Sequence, residues 1–116
     1  MAVLFYDNDG APPAEDGTPV RIDRIYCFEL DWLFQTGIRR LGEIFRSLPD
    51  YQMELSSGAP SWFGIQGRDT YYMVASIEPP GLQVAGFLQY DQWKLWVGKF
   101  EAMVNDLPFR EQTDLL

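Results

Sequence analysis

Two stretches of this chain repeat apolar residues every three or four positions, and three β-rich runs lie between them. Few folds satisfy both. In Leu30–Leu48 the apolar residues are Leu30, Leu33, Phe34, Ile38, Leu41, Ile44, Phe45 and Leu48. This is the spacing of an amphipathic helix, with Arg39, Arg40, Glu43 and Arg46 on the other face. Pro49 stops it. Gly37 and Gly42 each cost about 1 kcal/mol against alanine inside a helix, so both are expected to be close approaches against a sheet. Behind Asp91, read as an N-cap, the residues Trp93, Trp96, Val97, Phe100, Met103, Val104 and Leu107 line one face of a second helix. Pro108 ends it.

The β-rich runs are Ser61–Gln66, Thr70–Ile77 and Leu82–Gln89. Gly67-Arg68-Asp69 and Glu78-Pro79-Pro80-Gly81 separate them, and Pro80-Gly81 suits the centre of a type II turn. Such short connections predict an antiparallel meander. Val3–Tyr6 and Val20–Phe28 read as N-terminal strands. The second carries Val20, Ile22, Tyr26 and Phe28 on one face and Arg21, Asp23, Ile25 and Cys27 on the other. Asp50–Pro60 reads as irregular, with a loop at Ser56-Ser57-Gly58. The expected fold is α+β in the order β-β-α-β-β-β-α. A three-stranded meander plus one or two N-terminal strands would form an antiparallel sheet, with two amphipathic helices packed on one face. Residues 1–116 suit one domain, with an acidic Pro/Gly loop at 7–19 and a frayed tail at 109–116.

Composition narrows the chemistry. There are 17 acidic and 9 basic residues, a net charge of −8, one cysteine and no histidine. Without histidine there is no Ser-His-Asp triad, no Cys-His pair and no His-bound metal. Cys27 alone makes neither an internal disulfide nor a multi-cysteine cluster. Lys94 and Lys99 are the lysines, and basic charge this sparse argues against a nucleic-acid partner. No apolar stretch nears the roughly 20 residues of a membrane helix, and Met1–Tyr6 lacks the basic flank of a signal peptide. A cytoplasmic protein without metal or cofactor is the expectation.

Three features could carry function. Asp7-Asn8-Asp9-Gly10 resembles part of a calcium loop, but with Gly10 as the loop glycine the first ligand would be Phe5, so the register fails. Among the carboxylates, Asp23, Glu29, Asp31 and Glu78 could run acid–base chemistry only if one were buried with a raised pKa. Glu29 and Asp31 have an ordinary role beside a helix N-terminus. Cys27, between Tyr26 and Phe28, reads as buried and inert.

The third feature is an excess of aromatic residues, 16% of the chain. Alternation along the meander puts Phe63, Ile65, Met73, Ala75, Ile77, Leu82, Val84 and Leu88 on one face, and Trp62, Tyr72, Val74 and Phe87 on the other. If helices cover the first face, the second is too aromatic for ordinary solvated surface. The N-terminal segment, another copy of the chain or a partner would cover it.

These readings lead to an expectation of a small, acidic, non-enzymatic protein-binding or inhibitor module. Asp7, Asp9, Glu15 and Asp16 of the loop, with Trp62, Tyr72 and Phe87 of the sheet, would meet a basic partner. In size, charge and aromatic richness the chain is similar to one-domain α+β bacterial inhibitors such as the immunity proteins of toxin systems, which the resemblance pairs with basic partners. The alternatives are a small-molecule binder or carboxylate-based enzyme with a pocket between helices and sheet, and a homodimeric subunit.

Overall fold

Alternation decides the centre of the sheet. In β2 (Pro19–Tyr26) and β6 (Gly81–Gln89) every second residue is buried: Val20, Ile22, Arg24 and Tyr26 in the first, Leu82, Val84, Gly86 and Leu88 in the second. The two pair antiparallel along their length, Val20 opposite Leu88 and Tyr26 opposite Leu82, so the buried sets share one face. The computed structural model describes residues 3–10, 12, 14–52 and 59–110. Among these, six strands form one antiparallel sheet in the order β1-β2-β6-β5-β4-β3. The others are β1 (Phe5–Asp7), β3 (Tyr51–Gln52), β4 (Ser61–Trp62) and β5 (Tyr72–Glu78). The α+β class stands as expected, and the strand inventory is larger. The stretch read as irregular holds β3 at its start, while Ser56-Ser57-Gly58 lies outside the described residues.

The first run of the meander departs most from expectation. Its strand stops after Trp62, because Phe63 takes a left-handed backbone with φ 71°, a conformation that a bulky residue rarely adopts. The Phe63 N–H donates to the Asp50 carbonyl at 2.9 Å. Alternation therefore does not carry through to Phe63 and Ile65. Trp62 pairs with Met73 and shares its inward face, so the expected placement of Trp62 opposite the helices is wrong. Its side chain is 0% exposed and its indole N–H donates to the Phe45 carbonyl at 3.1 Å. The hairpin between β5 and β6 also turns one residue early. Glu78 pairs with Gly81, leaving Pro79 and Pro80 as the central pair. A Cβ on Gly81 would lie 2.2 Å from the Tyr26 carbonyl oxygen, and its φ is 150°, so both the approach of β2 and the local backbone demand this glycine.

The helical stretch after β2 is interrupted. Glu29 caps α1 (Leu30–Trp32), its carboxylate accepting from the Asp31 and Trp32 N–H groups at 3.0 and 2.9 Å. A π turn, Leu33–Gly37, then leads into α2 (Ile38–Ser47). In it the Ile38 N–H reaches back five residues to the Leu33 carbonyl. This wider turn re-phases the helix. Leu33, Gly37, Leu41, Ile44, Phe45 and Leu48 are buried, while Phe34 and Ile38 are left 53% and 51% exposed. Neither glycine meets the sheet. Gly37 is pressed against the Trp32 ring, and Gly42 would present a Cβ only to the Arg46 guanidinium.

The last helix, α3 (Tyr90–Val104), is capped at Gln89 and not at Asp91. The Gln92 side chain accepts the Gln89 N–H at 3.0 Å, and Asp91 lies in the first turn. Trp93, Trp96, Phe100 and Val104 are buried, Val97 and Leu107 are half-buried, and Met103 is exposed. Trp96 stands 5.1 Å from Trp62 edge-on and 4.8 Å from Phe100 in a stack, while Phe100 meets Tyr26 edge-on at 4.9 Å. The tail is not frayed where it begins. Phe109 is buried and stacks on Phe28 at 4.5 Å, and the Arg110 N–H donates to the Cys27 carbonyl. Residues 111–116 lie outside the described residues.

Since Trp96 fills the space between α3 and Trp62, Trp96→Ala should cost about 3–5 kcal/mol, the transfer and cavity terms adding. Urea unfolding followed by circular dichroism measures this. A midpoint near that of the unmodified protein would contradict the packing.

Candidate binding surfaces

The alternation that buries Val20, Ile22 and Tyr26 also turns Arg24 inward, where a charge must be paired. Asp7, directly opposite on β1, supplies the pair: Arg24 Nε and Nη2 donate to its two carboxylate oxygens at 2.7 and 3.1 Å. Arg24 Nη1 donates to Glu101 of α3 at 3.1 Å, and the Tyr26 hydroxyl donates to the same oxygen at 2.8 Å. The guanidinium also lies 3.7 Å over the Phe5 ring and 5.0 Å from that of Trp93. Burial works against its charge, but the Asp7 and Tyr26 hydrogen bonds overcome this and lift its pKa. Burial first, then the Glu101 charge, push the Tyr26 phenol well above its ordinary range. Asp7 is thus a structural counter-ion and not a free acid of the loop.

The remaining expected contact residues divide. Asp16 accepts a hydrogen bond from Lys94 at 3.0 Å on the surface, where solvent screens the pair. Asp9 and Glu15 are exposed and carry no ion pair among the described residues. Trp62 is enclosed and touches no solvent. Tyr72 and Phe87 do share the helix-free face. They pair across β5 and β6, with Arg21 of β2 completing the row, and Tyr71 stacks on Phe87 at 5.7 Å. The next row holds Asp23, Ala85 and Val74.

Arg21 and Tyr72 of the first row and Asp23, Ala85 and Val74 of the second line a depression of about 150 Å³, together with Asp9 and Gln66, and Phe87 lies beside it. The Asn8 and Gln83 side-chain amides fix the Asp23 carboxylate, donating to one oxygen at 2.9 and 2.7 Å. Two carboxylates face one guanidinium, so the depression carries net negative charge. Its volume falls below the roughly 300–1,000 Å³ of small-ligand pockets and suits a single side chain. Gln66 arrives on the turn after Phe63, where the Ile65 N–H and Arg68 donate to Asp69, and the first of these holds the Asp69 carboxyl below its usual range.

A second concavity lies on the helix side, between α2 and the ends of β5 and β6. It encloses about 470 Å³ between Leu41 and Phe45 of the helix and Ala75, Ile77 and Leu82 of the sheet. Among the described residues Arg46 is the one charged residue in its lining. The helix-side concavity lies where the small-molecule alternative expects a pocket, between helices and sheet. The depression on the other face does not show in the sequence, because it depends on which residues strand pairing sets side by side.

Cys27 is buried, and burial pushes its thiol up against the opposing pull of Arg110. Among the described residues no three Cys, Asp or Glu side chains gather as a metal site, and no helix is long and apolar enough to cross a membrane. In comparisons with known proteins the chain matches no family model, no curated protein and no solved structure.

The raised phenol of Tyr26 gives a pH test. In the unfolded chain a tyrosine ionises near pH 10. Folded, Tyr26 keeps its proton to higher pH, so its contribution is whole below about pH 10 and is lost as pH rises toward the folded value. Melting temperature should fall between about pH 9.5 and 11.5, and less steeply in Tyr26→Phe than in the unmodified protein. Parallel profiles would contradict the burial of this hydroxyl.

Proposed function

We propose that the protein is a non-enzymatic binding module, of the acidic-inhibitor kind, that docks a basic protein on the helix-free face of its sheet. The negative depression at Asp9 and Asp23 carries this reading. A lysine or arginine of the partner would enter it, its charge meeting the two carboxylates and its stem lying along the Tyr72 ring. Phe87 and Tyr71 beside it would supply aromatic contact area. The net charge of −8 would speed the encounter at low salt. In this reading the determinants are Asp9, Asp23, Tyr72 and Phe87. Asp7 and Trp62 act only through the fold, and Glu15 and Asp16 contribute to the field alone.

A blocked tri-arginine peptide titrated at low salt into isotope-labelled protein tests the reading. The largest amide shifts should fall at Asp9, Asp23, Tyr72 and Ala85. Asp9→Asn combined with Asp23→Asn should weaken binding more than tenfold, since each contact is worth about 1 kcal/mol even at the dielectric of water. Asp91→Asn with Asp106→Asn removes the same charge elsewhere and should do far less. Equal losses in the two double variants would reduce the site to general acidity. A dimer in sedimentation whose interface is this face would replace the partner by a second copy of the chain.

A further inference from the structure

The groove between α2 and the sheet has a composition that the protein-docking reading does not use. Its walls are aliphatic and aromatic, and its volume of about 470 Å³ lies within the range of small-ligand sites. Among the described residues no carboxylate lines it, although the chain as a whole is strongly acidic. Arg46 sits at its margin without an ion pair among the described residues. Arg39 and Arg40 on the same helix, against Glu43 alone, make this side of the molecule locally positive.

Gly42 holds the groove open. It lies in the interior of α2, where glycine is a much poorer helix former than alanine. Among the described residues no sheet atom lies within 4 Å of a Cβ built there. The nearest atom to a Cβ is Arg46 Nη1 at 3.7 Å. The same distance brings the guanidinium along the helix to the groove wall. A helix that needed only to pack would gain by filling this position. Left empty, it gives an apolar slot with one cation at its edge.

We infer that this groove binds an aliphatic carboxylate, its alkyl chain between α2 and the sheet and its carboxylate on Arg46. The chemistry is specific on both counts. Alkyl burial gains with each methylene, and a guanidinium takes a carboxylate through two parallel hydrogen bonds. Arg46 has an ordinary role as well, since a cation in the last turn favours the helix dipole. That role affects stability and leaves ligand preference unchanged, so the two separate by experiment.

The probes are decanoate, 1-decanol and decyltrimethylammonium, each below its micellar concentration, titrated by calorimetry. The unmodified protein should bind decanoate about tenfold more tightly than decanol, and the cation least. Shortening decanoate to octanoate should weaken binding by more than tenfold, about fourfold per methylene. Arg46→Gln should abolish the preference for decanoate over decanol while leaving decanol unchanged. Gly42→Leu should fill the slot and remove both, with melting temperature unchanged or raised because leucine is the better helix former. Equal binding of decanoate and decanol by the unmodified protein would overturn the inference. So would no binding at all, or a preference that survives Arg46→Gln. None of these outcomes bears on the depression at Asp9 and Asp23, which lies on the opposite face.

Discussion

The edge-on contact of Trp62 with Trp96, 5.1 Å between ring centres, joins a two-residue strand to the last helix. Much of the architecture depends on it. With Phe45 edge-on to Trp62 at 5.3 Å and Phe100 stacked on Trp96, the two indoles draw α2, α3 and β4 onto one face of the sheet. Aromatic pairs of this kind add roughly 0.5–1.5 kcal/mol each beyond the area they bury. Once Trp62 faces the helices, the opposite face keeps Tyr72, Phe87, Val74 and Ala85 without helical cover. The helix-free surface is therefore a consequence of where the core placed its largest side chains.

The buried Arg24 extends the same logic to the N-terminus. β1 is only three residues long, and its Phe5 and Tyr6 are exposed. It has little apolar area with which to hold its place. The bidentate Asp7–Arg24 pair and the Phe5 ring over the guanidinium supply a specific attachment instead. Buried pairs of this sort contribute less net stability than their geometry suggests, because both charges lose water. What the pair does fix is register: Asp7 opposite Arg24 leaves Asn8 beside Asp23, and so sets the start of the loop that brings Asp9 to the outer face.

Much of the fold was legible in the sequence because two periods dominate it. The inward faces of β5 and β6, the four buried positions of α3 and the stop at Pro49 follow from spacing alone. Two misplacements share one cause, a local backbone that breaks the period. The π turn moved Phe34 and Ile38 outward, and the left-handed Phe63 cut a strand and brought Trp62 in, whereas the start of α3 moved ahead of Asp91 through the side-chain box between Gln89 and Gln92. A π turn saves no residue type for itself, so composition does not announce it. Arg24 was different, since a charge within the run Val20, Ile22, Arg24, Tyr26 signals a buried pair, and that signal went unread. Of the seven residues expected to meet a partner, the fold gathers Asp9, Tyr72 and Phe87 on one face and adds Asp23. Only pairing across strands reveals that grouping.

Hydroxyl-radical footprinting of the native protein, read residue by residue by mass spectrometry, tests the division of the sheet most directly. Indole is intrinsically more reactive than phenyl or phenol, so chemistry alone would favour Trp62 and Trp96. The structure predicts the reverse order: Tyr71, Tyr72 and Phe87 modified in the folded state, with both tryptophans protected until the chain unfolds. Native modification of Trp62 at a rate matching or exceeding that of Tyr72 would contradict the assignment of faces, and with it the surface proposed to bind.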